Sequence, residues 1–129
     1  MATIRIAAAQ MDVKLADREG NLSRMLAKLE TAAAQGAALV VFPECALPGY
    51  CFESLEEARP YAETVPGPAT NAFAAACKRL NVHAVFGMLE SLRKDYGHSA
   101  TLPLATLAVD VEILKAKWKL THPKLTEVA

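Results

Sequence analysis

The stretch Ala37-Ala38-Leu39-Val40-Val41-Phe42-Pro43-Glu44 decides the fold. Its apolar residues run unbroken from Ala37 to Phe42, the pattern of a strand buried on both faces of a sheet, and Pro43, with no N–H for a ladder, stops it. Toward the N-terminus, Leu22, Met25, Leu26, Leu29 and Ala33 recur at helical spacing, while Arg24, Lys28 and Glu30 face away. This predicts an amphipathic helix from Asn21, whose side chain offers a first-turn cap, to Gly36, which offers a left-handed residue to close it. Earlier still, Thr3 to Gln10 alternates Ile4, Ile6 and Ala8 with Arg5, Ala7 and Ala9, suiting a strand largely covered on both sides. Strand, helix, strand is a βαβ unit whose strands pair in parallel, so the expected class is α/β.

Toward the C-terminus, Ser54 with Glu57 three residues on forms a capping box for a short helix that Pro60 should cut or kink. The turn-rich Val65 to Pro68 leads into a helix over Ala69 to Leu80, with Phe73, Ala76, Cys77 and Leu80 as its apolar stripe and Asn81 at its end. Val82 to Leu89 reads as a third strand, and Ala100 to Val109 with Glu112 to Leu120 as two more, joined at Asp110. No repeat, low-complexity run or linker interrupts the 129 residues, which are expected to form a single domain without an internal boundary.

Composition narrows the function classes. Lys plus Arg equals Asp plus Glu at 14 each, so no net field attracts nucleic acid or an anionic membrane. No run approaches the ~20 apolar residues of a membrane helix, and Met1 to Val13 lacks the features of a signal peptide. The three cysteines, Cys45, Cys51 and Cys77, have no CxxC spacing and suit reduced thiols, so the expected location is the cytoplasm. His83, His98 and His122 lack a neighbouring ligand at helical or hairpin spacing, so no metal site is expected.

In open α/β sheets ligands bind beyond the carboxyl ends of the strands, where Glu44 falls. A carboxylate held there and partly shielded from water would bind its proton more tightly, as a general base working near neutral pH must. The plainer reading is a solvated acid at a strand end. The wider string favours the first: Val40-Val41-Phe42-Pro43-Glu44 with Leu47-Pro48-Gly49-Tyr50 resembles the first catalytic motif of the nitrilase superfamily of carbon-nitrogen hydrolases. Ile4 to Met11 resembles that family's opening strand, Asp17 with Asn21 its approach to helix one, and Val85-Phe86-Gly87 with Glu90 its third strand.

The resemblance implies the N-terminal half of an α-β-β-α sandwich, incomplete here, and hydrolysis of a non-peptide C–N bond in a small amide, nitrile or carbamoyl substrate. It implies no cofactor, and a homo-oligomer, dimers being usual. The family works with a Glu, a Lys and a Cys. The Glu takes the thiol proton, the thiolate attacks carbon, and the ammonium stabilises the charge that develops. Glu44 takes the first role. For the second, reading forward from Ile113-Leu114 gives Lys119, whereas reading back from Thr121-His122 puts Leu120 in its place; Lys119 is the assignment, beside the alternative that it is one more solvated lysine with Lys115 and Lys117. None of the three cysteines occupies the nucleophile's place, and the chain ends at Ala129 before the segment where the family carries it. A truncated or frameshifted reading frame is the expectation, with no activity from this chain alone. The competing class is a noncatalytic α/β binding or oligomerisation module that keeps the Glu44 motif by inheritance. A flavodoxin-like ligand-binding domain is disfavoured, because Gln10-Met11-Asp12 stands where a glycine-rich phosphate loop would follow strand one.

Overall fold

The computed structural model describes residues 3–91. Their strands are β1 (Ile6–Ala8), β2 (Leu39–Val41) and β3 (His83–Val85), and their helices α1 (Arg18–Ala34), α2 (Leu55–Ala58) and α3 (Pro68–Leu80). The sheet has order β1-β2-β3 with both pairings parallel, so β2 is central. The register aligns Ala7, Val40 and Ala84 across the sheet, and beside them Ile6, Leu39 and His83. This is the α/β architecture that the βαβ pattern predicts. The two strands expected over Ala100 to Leu120 lie outside the described residues.

Because side chains alternate across a strand, one face of the sheet carries Ala7, Val40 and Ala84 into a single core with Met25 and Leu29 of α1 and Phe73 and Ala76 of α3. Val40, Met25 and Leu29 are fully buried. Phe73 organises the centre, meeting Phe42 edge-on at 5.5 Å and Phe86 at 4.4 Å between ring centroids. The other face differs from the expectation of strands covered on both sides: Ile6 is 56% and Val41 38% exposed, and His83 is exposed as well. The apolar run at 37–42 is legible as a buried strand, and Ala37, Val40 and Phe42 join the core, while Val41 is exposed among the described residues.

Two helix ends depart from the sequence reading by a few residues. Helix α1 is capped not by Asn21 but by Asp17, whose carboxylate accepts the Gly20 N–H at 3.1 Å and pairs with Arg24 at 2.9 Å. Gln35 is the C-cap, and Gly36 follows it with φ +82°. Helix α3 starts at Pro68, where a missing N–H costs nothing, and Asn81 ends it in the left-handed conformation. Ser54 caps α2 as expected, accepting the Glu57 N–H at 3.1 Å, and the 3-10 turn Arg59–Tyr61 carries Pro60 directly after it.

The α3 N-terminus has an unusual partner. The Glu63 carboxylate, 3% exposed, accepts the Ala69 N–H at 2.8 Å and lies 3.3 Å from Nε of Arg18. A negative group thus satisfies an orphan helix donor at the positive end of the dipole, and the guanidinium compensates its burial. Glu63 also joins the chain leaving β3, with its N–H on Leu89 O at 3.0 Å and its carbonyl accepting the Ser91 N–H at 2.7 Å.

Candidate active site

Beyond Val41 the chain keeps its pairing for one more residue, the Phe42 N–H reaching Val85 O at 2.8 Å, and then turns sharply. The turn is closed by the Ala46 N–H on Pro43 O at 3.2 Å and the Gly49 N–H on Cys45 O at 2.9 Å, with Glu44 and Cys45 at its crest. Cys45 adopts φ +50°, rare for a residue with a side chain, and points that side chain inward to 6% exposure. Glu44 therefore faces out at the carboxyl end of the central strand, the edge where parallel sheets place their ligands.

Three neighbours hold the turn. Asn21, fully buried, donates from Nδ2 to Leu47 O at 2.9 Å and to Lys14 O at 2.7 Å, and accepts the Lys14 N–H at 3.0 Å. The Ala16 N–H reaches Pro48 O at 2.9 Å, and Gly49, at φ +87°, lies so close to the preceding segment that a Cβ would come within 2.7 Å of Leu15 Cα. On the other side the Leu47 N–H points to Gly87 O at 3.3 Å. The Asn21 side chain thus serves the Glu44 turn rather than the helix end.

Among the described residues the Glu44 side chain is exposed, where the sequence reading expects a carboxylate partly shielded from water. The Tyr50 hydroxyl donates to its Oε2 at 2.9 Å. That phenol is pushed up to about 12, first by loss of hydration where it packs and then by its bond to the Glu44 carboxylate, so it is a donor throughout the physiological range. Cys45 is next to Glu44 in sequence, yet burial, followed by the Glu44 charge, pushes its thiol up, which reduces the thiolate fraction at neutral pH. Cys51 is exposed at φ +71°, and Cys77 is half-buried against the core with its thiol pushed up by burial. Among the described residues no group of three or more His, Cys, Asp or Glu side chains is arranged to hold a metal ion. Lys119 lies outside the described residues, so the structure leaves its distance to Glu44 open.

The carbon-nitrogen hydrolase profile matches residues 5–109, most of the chain. The chain belongs to the carbon-nitrogen hydrolase family. Its fold resembles that of a CN-hydrolase superfamily protein from Xanthomonas campestris solved with an arsenic adduct in its active site, with a TM-score of 0.61 and 26% identity over 72% of this chain and 33% of that one. Among curated relatives it is 32% identical to a glutamine-dependent NAD(+) synthetase of Thermotoga maritima, over 95% of this chain and 20% of the relative. It is 33% identical to the omega-amidase NIT2 of Danio rerio (69% of this chain, 31% of the relative) and to a nitrilase of Pyrococcus abyssi (67% and 34%). The carbon-nitrogen hydrolase chain described here thus spans a fifth to a third of the length of these relatives. No helix among the described residues is long and apolar enough to cross a membrane.

Tyr50 and Gly87 both stand inside the motifs quoted above, but sequence reasoning gave neither a role. The Tyr50 bond forms within the turn after β2, whereas the Gly87 contact forms only when that turn meets the chain after β3.

Proposed function

We propose that this chain supplies the general base of a carbon-nitrogen hydrolase acting on small amide, nitrile or carbamoyl substrates. Glu44 is the base and Lys119 the ammonium that stabilises the developing negative charge. The observation that carries the reading is the position of Glu44: a carboxylate on a turn tied down from two sides, at the carboxyl end of the central parallel strand of a carbon-nitrogen hydrolase fold. Among the described residues the Tyr50 hydroxyl engages Oε2, leaving Oε1 to take a proton. The reaction then needs a thiol to attack carbon and water to release the acyl group. Cys45 does not suit that part, being buried with its thiol pushed up, so the nucleophile is proposed to come from elsewhere in the complete enzyme. No cofactor enters this chemistry, and the enzyme is proposed to be a cytoplasmic homo-oligomer.

The exposure of Glu44 favours a second reading, a noncatalytic α/β module that retains the turn by inheritance. Ammonia release separates the two. The chain is joined to a reading frame supplying the family's thiol and tested on a panel of amides, nitriles and carbamoyl compounds, as wild type, Glu44→Gln and Lys119→Ala. A fall of about 10²–10⁴ in turnover with Glu44→Gln is expected of a lost general base. Undiminished turnover in that variant would overturn the assignment.

A further inference from the structure

The turn bearing Glu44 meets the chain leaving β3 at the buried Gly87. A Cβ built on Gly87 would collide with the backbone nitrogen of Cys45 and stand 3.0 Å from Glu44 Cα and 3.1 Å from Glu44 C. These obstacles are main-chain atoms, which cannot rotate aside as a flexible side chain does. Gly87 O also faces the Leu47 N–H at 3.3 Å, so the glycine meets both sides of the turn. Asn21 and Ala16 hold the same turn at Leu47 and Pro48, which limits its freedom to lift as a whole. A side chain at residue 87 would therefore displace the crest, where Glu44 and Cys45 sit.

We propose that Gly87 is a positioning residue for Glu44, its missing side chain setting how deeply the turn seats against the third strand's continuation and hence where the carboxylate stands. This rests on the reading of Glu44 as the base. The Tyr50 hydroxyl bond to Glu44 Oε2 spans the crest and the end of the turn, so it breaks when the crest moves relative to Tyr50.

The test uses the full chain of 129 residues with tyrosine labelled at ¹³Cζ. Tyr50 is assigned by the resonance lost in Tyr50→Phe, and Glu44→Gln defines the position of that resonance when the carboxylate bond is gone. Gly87→Ala is expected to move the Tyr50 resonance toward the Glu44→Gln position, and to move it little further when the two substitutions are combined. Gly67→Ala is the control, since a Cβ there meets the carbonyl of Thr64, away from the Glu44 turn. A Gly87→Ala resonance unchanged from wild type, or an equal shift in Gly67→Ala, would overturn the proposal. The wild-type chain gives a second measurement that needs no variant: a nuclear Overhauser contact between a Gly87 Hα and the Cys45 N–H is expected, and its absence would also overturn the seat. These readouts do not involve turnover. A dispensable Glu44 in the hydrolysis assay would thus remove the base while leaving the seat intact.

Discussion

Cys45 and Glu44 are adjacent, yet the turn sends one side chain into the core and the other into water. Mass mapping after brief iodoacetamide treatment of the folded chain at neutral pH should find the exposed Cys51 labelled first and Cys45 last. Labelling of Cys45 should accelerate as pH climbs through its raised thiol value. Asp17 gives a pH dependence of opposite origin. Its hydrogen bond from Arg24, with smaller help from the Gly20 N–H, holds its carboxyl below the ordinary value, so the folded state binds the proton less readily than the unfolded chain. Its stabilising contribution is therefore complete above the unfolded carboxylate value and is lost as pH falls through the lower folded one. In acid melts, Asp17→Asn should be less stable than wild type at neutral pH, and the gap should close as pH falls through the lowered Asp17 value. Asp17 and Asn21 show how far local reading goes at this scale. Both are good capping residues, so sequence alone marks a helix start nearby. Which one caps is decided by a partner 26 residues away, because burying Asn21 against Leu47 O removes it from the helix end.

The elements themselves were largely written in local patterns, since alternation, 3.6-residue spacing and punctuation by Pro, Gly and Asn are properties of short windows. The βαβ unit, α2 broken near Pro60 and α3 ending at Asn81 all appear where those signals stand. What the windows do not contain is the meeting of elements. Glu63 lies in a segment with no periodic signal, yet it caps α3 and pairs with Arg18 at the start of α1. Replacing Glu63 by Ala should cost about 1–3 kcal/mol, because the buried Ala69 N–H loses its acceptor, and denaturant melts would measure it. Phe73→Ala should cost more, about 3–5 kcal/mol, since it empties the centre of the aromatic cluster beside Phe42 and Phe86. A Phe73→Ala effect below that of Glu63→Ala would show that the core is not centred where the packing places it.

At the scale of the whole molecule, the sheet has, among the described residues, one face packed by helices and another on which Ile6 and Val41 are exposed. Apolar surface of that kind favours association, so residues 1–129 expressed alone should sediment as more than monomer, and Ile6→Lys with Val41→Lys should reduce the effect. The two-sided burial suggested by the run at 37–42 was not decided by that run, because what covers a second face is set by residues distant in sequence. The same holds for the site: the motif around Glu44 was legible, while its exposure, its bond to Tyr50 and its seat on Gly87 belong to the folded arrangement. We propose that this chain brings the base of a carbon-nitrogen hydrolase and not its nucleophile. Ammonia release by residues 1–129 alone, over amides, nitriles and carbamoyl compounds, tests it most directly, since a catalytic unit missing one member loses most of its rate. No turnover above buffer is predicted for the wild-type chain, and turnover that disappears on substituting Cys45→Ser together with Cys51→Ser would contradict the account.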